Sequence, residues 1–375
     1  MRWQRMERAS VDYRAKPHAV HGSGKKVSGP GKSRIRKKKN QKKEESEKRR
    51  IRKKKNQKKE ESGKRRIRKE KNQEKQKSGN GTDMKRKIKD ILAAMACFLY
   101  EKGILHNRIQ VHTIDETIDE LLNTEKSMVR FGDGEIVMIK GVDLMLQKAA
   151  PEIGEGLARI LAWPYDDLLV TIPGIFDTLS DHHKASRQFW KDHLLFCRKT
   201  YEKYCNPDKI YYTTFVSRCY YFAADRRNCD RWFAKIRKIW ENRDIVIVEG
   251  TKTHNGVGND LFDSAGSIER IICPPKDAYG SLPKITEACM QYGTDRLFLL
   301  SVGVAAKFLA VTLFEKGYRV LDIGNLDLEY EWYVRQAAGK MPLEKHEIVG
   351  EAANREKAAQ DKEYADYLEQ VKCWL

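Results

Sequence analysis

The sequence lacks the patterns that mark several protein classes. Its eight cysteines form no Cys-x-x-Cys pair, so their spacing gives no zinc framework, and a chain of 375 residues needs no disulfides to fold. The longest apolar run, residues 91–100, is about half the length of a membrane-spanning helix. No apolar segment of suitable length follows the charged start, so no secretory signal is predicted. These absences predict a cytoplasmic protein with free thiols.

Two common phosphate-binding fingerprints are also missing. Neither GxxxxGK[ST] nor GxGxxG occurs anywhere in the chain. The sequence therefore predicts neither a Walker A loop nor the glycine fingerprint of a dinucleotide-binding fold.

The positive charge is concentrated at one end of the chain. The formal net charge is +20, but residues 1–83 hold 32 Lys and Arg against 10 Asp and Glu, whereas the remaining 292 residues hold 41 against 43. The body of the protein is close to neutral, which argues against nucleic-acid binding by the body.

Residues 1–83 form a basic tail with an internal repeat of 16 residues. Each copy between residues 34 and 77 has a single isoleucine, too little apolar surface to offset chain entropy, so the tail is predicted to be disordered. Four interpretations stay open: binding to RNA, binding to anionic lipid, a solubilising appendage, or an over-extended start upstream of a natural N-terminus at Met84.

Residues 84–110 are predicted to form a basic amphipathic helix. Apolar residues recur on one face from Ile88 to Leu99, and four basic residues lie between Lys85 and Lys89. Such a helix can lie in an anionic membrane surface or pack on the adjoining domain, and the neighbouring basic tail favours the membrane. The protein would then be peripheral at the cytoplasmic face.

The rest of the chain predicts an α/β fold with a mainly parallel, Rossmann-like sheet and helices on both faces. Thr113 and Glu116 form a capping box that begins one helix, and residues 305–314 form another, stopped by Gly317. Short apolar runs predict strands at residues 128–131, 168–172, 210–216, 244–248, 268–273, 296–301 and 318–323. Residues 341–375 are predicted to be a C-terminal helical segment.

The first predicted strand ends in two carboxylates that suit a divalent cation. Asp133 and Glu135 are separated by one residue in a turn, and the glycines Gly132 and Gly134 would let a phosphate approach the backbone. Because ligands of such sheets lie at the carboxyl ends of strands, Mg²⁺ or Mn²⁺ is predicted here, where it would bridge a diphosphate.

Other strand ends carry polar residues that suit a phosphate or a sugar. The loop after residue 249 contains two glycines and a lysine, and a strand–Gly–helix junction at Gly303 presents a helix N-terminus to an anion. The candidate binding residues beyond the Asp-x-Glu turn are Ser217, Arg218, Lys252, Asn259 and Gly303.

Taken in order, these segments resemble a known family. RFGDGE, EG-x(5)-GVGNDLFD, the strand–Gly–helix junction and LDIGNLDLEYEW are similar to the bacterial GT-D fold glycosyltransferases, over about residues 111–340. The resemblance implies a metal-dependent enzyme with a nucleotide-sugar donor, typically a UDP-sugar, held at Asp133 and Glu135, with Arg130 near a phosphate. It also implies a glycan, lipid-linked or glycoprotein acceptor. The family has Gly-Pro-Thr-Ala where this chain has residues 303–306, which leaves the donor's identity open.

An inverting transfer would need a carboxylate to deprotonate the acceptor hydroxyl. Glu249, Asp260 and Asp327 are the candidates for this catalytic base. Two other functions are weighed: a non-catalytic nucleotide- or RNA-binding protein with a basic tether, and a phosphohydrolase. A phosphohydrolase with two metal ions would need an additional cluster of Asp and His, and the sequence does not show one.

Overall fold

The computed structural model describes residues 109–343 and 362–375, together with seven positions between residues 88 and 99. The predicted disordered tail, residues 1–83, lies outside the described residues, as does most of the predicted helix 84–110. The seven positions that are described there are all helical. Within the described part of the chain, no helix is both long and apolar enough to cross a bilayer.

In the part of the chain that the structure describes, nine strands form one sheet, and each strand is parallel to its neighbours. The strands are β1 (Gln110–Val111), β2 (Ser127–Arg130), β3 (Leu168–Ile172), β4 (Ile210–Thr213), β5 (Asp244–Gly250), β6 (Ser267–Cys273), β7 (Leu297–Ser301), β8 (Arg319–Asp322) and β9 (Val371–Trp374).

Helices connect most of these strands. They are α1 (Ile114–Asn123), α2 (Asp133–Ile139), α3 (Pro151–Leu161), α4 (Lys184–Tyr204), α5 (Cys229–Arg237), α6 (Leu282–Cys289), α7 (Ala305–Phe314), α8 (Leu326–Val334) and α9 (Lys362–Gln370).

In the middle of the sheet, the direction in which successive strands are added reverses, although all strands stay parallel. The order is β1-β4-β3-β2-β8-β7-β5-β6-β9, so the chain moves outward from β2 in one direction and then builds the other half from β5. Such a reversal opens a crevice at the carboxyl ends of the central strands, where ligands of parallel sheets bind. In this protein that reversal point lies between β2 and β8.

Both faces of the sheet are covered, as predicted. Two hydrophobic clusters lie on opposite sides, one including side chains of α2, α3, α4, α6 and α7, the other side chains of α1, α5 and α8. Within β5, Val246 and Val248 belong to the first cluster, and Ile245 and Ile247 belong to the second. This burial on both faces explains why the strands read as continuous apolar runs rather than as alternating patterns.

Several local predictions are confirmed. The Thr113 side chain accepts a hydrogen bond from Glu116 N–H, and the Glu116 carboxylate accepts one from Thr113 N–H, so the predicted capping box is formed. The predicted helix at residues 305–314 has those bounds as α7.

Two segments differ from prediction. The strand predicted at residues 210–216 ends at Thr213, because the next four residues form a 3₁₀ turn, Thr214–Ser217, in which Thr213 Oγ1 accepts from Phe215 N–H. The predicted C-terminal helical segment contains α9, but Val371–Trp374 then forms a strand that pairs with β6.

Candidate functional site

The candidate site lies at the carboxyl ends of the two central strands, β2 and β8. Gly132 follows β2 and caps α2, whose first residue is Asp133. Asp322 is the last residue of the neighbouring strand β8 and is buried. The predicted metal turn therefore lies at the reversal point of the sheet, and α2 presents its N-terminal N–H groups there.

Glu135 closes the turn back on itself. Its Oε2 accepts a hydrogen bond of 2.8 Å from Gly132 N–H. Glu135 is thus the third residue of the helix, whose carboxylate caps the N-terminus as in a capping box. Glu135 is therefore buried, whereas Asp133 is only partly buried. Gly134 does not face open space, because an added Cβ would lie 3.1 Å from a methyl group of Leu144.

A buried lysine joins this turn to the neighbouring strands. Lys307 Nζ lies 3.0 Å from Glu135 Oε1 and 2.9 Å from Asp322 Oδ2, and it donates to the Gly303 carbonyl at 3.1 Å. The lysine is 1% exposed. A buried charge is costly unless it is paired and hydrogen-bonded, and here all three ammonium donors have acceptors.

Arg130 lies beside this group and is held by β8. Its N–H donates to Asp322 Oδ2 at 3.3 Å, and its Nε is 4.0 Å from Asp322 Oδ1. Gly324 has a positive φ of +52°, and a Cβ there would overlap the Arg130 guanidinium. The glycine therefore makes room for the arginine as well as for the turn.

The two carboxylates of the turn differ in ionisation. Burial raises the pKa of Asp133, and the nearby Arg218 only partly opposes this effect. Burial also raises the pKa of Glu135, but Lys307 and Arg130 outweigh it and hold that pKa below its usual value. Glu135 is thus stabilised as an anion, and Asp133 is the carboxylate that would gain most from an added cation.

Arg218 also approaches a buried carboxylate on α8. Glu329 is fully buried, and its Oε2 accepts N–H groups of Tyr220 and Tyr221 at 3.0 and 2.7 Å. Arg218 Nε lies 3.8 Å from Glu329 Oε1. Burial raises the pKa of Glu329 in spite of this arginine. The interaction fixes the segment that carries Arg218 near the Asp-x-Glu turn.

The predicted base Glu249 is fully engaged by the protein. Its Oε2 accepts the backbone N–H and the side-chain amide of Asn255 at 2.7 and 2.8 Å, and its Oε1 pairs with Arg270 at 2.6 Å. The residue is completely buried. These contacts show that Glu249 shapes the loop after β5.

Asp327 and Asn259 hold the same loop from the other side. Asp327 Oδ1 accepts from Gly256 N–H and from Asn259 Nδ2, both at 2.8 Å. Asn259 Nδ2 also donates to Glu331 Oε1 at 2.8 Å. The acidic stretch at 327–331 is therefore buried against the loop.

The third predicted base, Asp260, lies in a different setting. It is exposed, and it pairs with Arg237 at the end of α5 at 2.7 Å and accepts from the Tyr330 hydroxyl at 2.6 Å. The Tyr330 hydrogen bond, with the Arg237 charge, lowers the pKa of Asp260.

The remaining predicted binding residues have distinct environments. Ser217 is buried and donates to the Thr214 carbonyl at 3.3 Å, so its hydroxyl serves the 3₁₀ turn. Lys252 is partly buried. Gly303 adopts φ +58° with open space beyond its Cα, and it precedes α7 as predicted.

The structure thus joins Arg130, Asp133, Glu135 and the Gly303 junction around Lys307. Sequence reasoning missed both Lys307 and Asp322 as site residues. The available signals were one charged residue in the otherwise uncharged helix AAKFLAVTLF and an acidic residue ending a strand buried along its length.

The side chains at this turn satisfy only part of a metal's requirements. In residues 109–343 and the C-terminal stretch, no group of three or more His, Cys, Asp or Glu side chains is placed to hold a metal ion. Asp133 fits as a ligand because its carboxylate is partly exposed at a helix N-terminus. Glu135 already has a partner on each oxygen. A metal here would need further ligands from a bound diphosphate and water, which is common for Mg²⁺ sites.

Comparisons with known proteins concern the family and the fold. The model of the family described as "Glycosyltransferase GT-D fold" matches residues 128–351, which include β8, all of β2 except Ser127, and the residues of the candidate site.

Two curated streptococcal relatives are similar in sequence. "Probable glycosyl transferase Gly" of Streptococcus gordonii is 39% identical over 237 residues, which are 63% of this chain and 35% of the relative. "Glycosyltransferase GlyD" of Streptococcus pneumoniae serotype 4 is 38% identical over 258 residues, 68% of this chain and 31% of the relative. The chain spans about a third of the length of these relatives.

Solved structures show the same fold. "A New Glycosyltransferase (DUF1792) from Streptococcus sanguinis" is 36% identical, with a TM-score of 0.65, covering 71% of this chain and 99% of that one. A structure described as the domain of unknown function 1792 with a distinct glycosyltransferase fold is 31% identical, with a TM-score of 0.67, covering 74% and 99%. The predicted α/β fold and the predicted family resemblance are confirmed.

Proposed function

Because the chain belongs to the glycosyltransferase GT-D fold family, we propose that its glycosyltransferase domain is metal-dependent and uses a nucleotide-sugar donor, a UDP-sugar in the first instance. The observation that supports this most is the position of Asp133. It is a partly exposed carboxylate at the first turn of α2, at the reversal point of a parallel sheet, with Arg130 and Arg218 close by.

The donor diphosphate would lie over the Asp-x-Glu turn. The turn would hold Mn²⁺ or Mg²⁺, which when bound neutralises charge on the departing nucleotide. Arg130 and Arg218 would orient the phosphates as charged donors, and the Gly303 junction would offer N–H groups at the start of α7. Lys252 would supply a further cation from the loop after β5.

A carboxylate would accept the proton of the acceptor hydroxyl if the reaction inverts the anomeric centre. Glu249 and Asp260 each pair with an arginine and hold protein segments together, which weakens both as bases. Asp327, on the α8 side of the same loop, is also buried and accepts two hydrogen bonds on Oδ1, so all three carboxylates stay alternatives for the base. The acceptor class remains the one predicted: a glycan, a lipid-linked sugar or a glycoprotein.

The first experiment measures hydrolysis of UDP-, GDP- and dTDP-sugars by the full chain, with Mn²⁺ and with EDTA. We expect one nucleotide to be released in a metal-dependent manner. Asp133→Asn should lower turnover by about a hundredfold or more, since it removes a charge that acts where the leaving group departs. The matched control is Asp166→Asn, an exposed carboxylate beside Lys209 before β4, which should leave turnover unchanged.

Two results would contradict the proposal. Turnover that persists in EDTA would remove the metal, and wild-type turnover in Asp133→Asn would remove the assignment of the site. If none of these nucleotide-sugars is hydrolysed and nucleotide causes no thermal shift, a non-catalytic binding protein would be favoured instead.

We also propose that the segment before the domain binds an anionic membrane at the cytoplasmic face. Five of its seven described side chains, all of them apolar, are more than half exposed, and the lysines and arginine at 85–89 adjoin them. The exposed set is Ile88, Ile91, Leu92, Met95 and Phe98. Apolar burial and charge attraction would act together on a lipid surface that carries negative charge.

Flotation of the full chain with vesicles tests this. Binding to vesicles containing phosphatidylserine should be lost on Ile91→Asp with Leu92→Asp, and neutral vesicles should not bind. Flotation of the double variant equal to wild type would refute insertion of the apolar face, and binding to neutral vesicles would refute the charge requirement.

A further inference from the structure

The Asp-x-Glu turn contains two carboxylates that are not equivalent. Asp133 is partly exposed, whereas Glu135 is 7% exposed and has protein partners on both oxygens. One partner is Gly132 N–H at 2.8 Å, and the other is the Lys307 ammonium at 3.0 Å.

Lys307 is held in this position by contacts with three separate parts of the fold. It reaches Glu135 on α2, Asp322 at the end of β8 and the carbonyl of Gly303 before α7. An ammonium has three donors, so every one of them is used. Moving Glu135 away to ligate a cation would leave Lys307 with fewer partners in a buried place, which costs several kcal/mol.

A second cation beside Glu135 would also meet the charge of Lys307. The lysine occupies the place between two acidic side chains where a divalent ion would otherwise be favoured, and like charges a few ångströms apart repel strongly in a buried site. Asp133, the other carboxylate of the turn, belongs to a partly exposed residue. Mg²⁺ and Mn²⁺ sites that use one carboxylate, phosphate oxygens and water satisfy the usual coordination rules.

We infer that Lys307 is a positioning residue that holds Glu135 out of metal coordination, so that Asp133 is the single carboxylate ligand and the metal binds together with the nucleotide diphosphate. This inference rests on the proposed metal-dependent function of the same site. It assigns to Glu135 the task of shaping the turn through Gly132 and Lys307.

Elsewhere in the fold, a buried lysine serves structure alone and provides a matched control. Lys209, before β4, is 7% exposed, and its ammonium donates to the carbonyl oxygens of Trp163 and Tyr165. It lies at the opposite edge of the sheet, since it precedes a strand of the parallel set. Replacing it removes a buried ammonium without touching the candidate site.

The test measures Mn²⁺ binding to the full chain by calorimetry, with and without UDP. For the wild type we expect UDP to tighten Mn²⁺ binding by about tenfold or more, and Mn²⁺ to tighten UDP binding by the same factor. Asp133→Asn should abolish this coupling, whereas Glu135→Gln should leave the Mn²⁺ affinity in the presence of UDP within about threefold of wild type.

Lys307→Met gives the sharpest arm, because it keeps length and removes charge. Without UDP, this variant should bind Mn²⁺ about fivefold or more tightly than wild type, since Glu135 and Asp322 lose their counter-ion. Lys209→Met should leave Mn²⁺ affinity unchanged. If removal of a buried charge acted only by destabilising the fold, Mn²⁺ binding would weaken in both lysine variants. Circular dichroism shows whether each variant is folded.

Three outcomes separate the inference from the function beneath it. Glu135→Gln as damaging as Asp133→Asn would overturn the inference while the metal site stands, and this arm does not depend on the folding of Lys307→Met. A folded Lys307→Met with no gain in Mn²⁺ affinity would overturn it as well. Absence of Mn²⁺ binding to the wild type with UDP, GDP or dTDP would overturn the proposed function, and the inference with it.

Discussion

The two edges of the sheet use buried cations in different ways. At the amino edge, Arg319 begins β8 and donates to the carbonyl oxygens of Leu121 and Thr124, near the end of α1, at 2.7 and 2.9 Å. It also pairs with the Glu125 carboxylate at 2.9 Å. At the carboxyl edge, Lys307 is held mainly by carboxylates that come from two different elements.

The difference follows from the direction of the chain. In a parallel sheet with connecting helices, helix C-termini and their unpaired carbonyl groups meet at the amino edge, so a cation there completes the backbone hydrogen bonding. Helix N-termini meet at the carboxyl edge and favour anions, so acidic side chains and ligands gather there. Backbone carbonyls are thus two of the three partners of Arg319, whereas carboxylates are two of the three partners of Lys307.

The largest expected effect at the amino edge is on stability. Arg319→Met should lower the free energy of unfolding by about 2 to 3 kcal/mol, because it leaves two carbonyl groups without a donor in a buried place. Urea unfolding measures this, and turnover per folded molecule should not change. Arg243→Met is the control, since Arg243 pairs with the same Glu125 at the surface and should cost less than about 1 kcal/mol. Equal losses in the two variants would remove the distinction between buried and exposed pairs.

A pair of glycine substitutions separates backbone strain from damage to the site. Gly324→Ala and Gly317→Ala both place a side chain at positive φ, which costs about 1 kcal/mol in each case. Only at Gly324 would the new methyl group overlap Arg130, whereas Gly317 has open space. Nucleotide-sugar turnover should therefore fall by about tenfold in Gly324→Ala alone. A similar fall in Gly317→Ala would show that strain, not Arg130, is responsible.

The smallest effects concern how the free energy of unfolding changes with pH. Glu329 at the candidate site has a pKa raised above its ordinary 4.5 by burial, so the folded state keeps its proton longer, and stability falls as pH rises above 4.5 toward the folded pKa. Glu125 at the amino edge has a pKa lowered by its hydrogen bond to Arg243 and by Arg319, so its contribution is lost as pH falls below 4.5.

These two carboxylates should respond in opposite ways to neutral substitution. Glu329→Gln should reduce the loss of unfolding free energy as pH rises above 4.5, and Glu125→Gln should reduce the loss below pH 4.5 by a smaller amount, since Glu125 is exposed. Urea midpoints on both sides of pH 4.5 provide the measurement. An unchanged slope above pH 4.5 in Glu329→Gln would contradict the effect of burial.

Most strands and the type of fold could be predicted because their causes are local. The runs at 168–172 and 244–248 are apolar at every position but one, Thr171 and Asp244 respectively, which is typical of strands buried on both faces, and the structure confirms both. The two-residue strand β1 and the final strand β9 could not be predicted, since they exist only through pairing with β4 and β6. Residues 214–217 have strand-like composition, but the chain turns there because the Thr213 side chain accepts a hydrogen bond from Phe215 N–H.

The candidate site divides along the same line. Asp133, Glu135 and their glycines occur within four residues, and the turn they form is stabilised by contacts inside it, so the sequence by itself determined that a carboxylate turn would follow β2. The tertiary structure decided that Lys307 and Asp322, more than 170 positions further along the chain, pair with that turn. It also decided that Glu249 binds Arg270. Long-range electrostatic partners are set by which strands become neighbours, and neighbour order in a sheet is a property of the whole chain rather than of any motif.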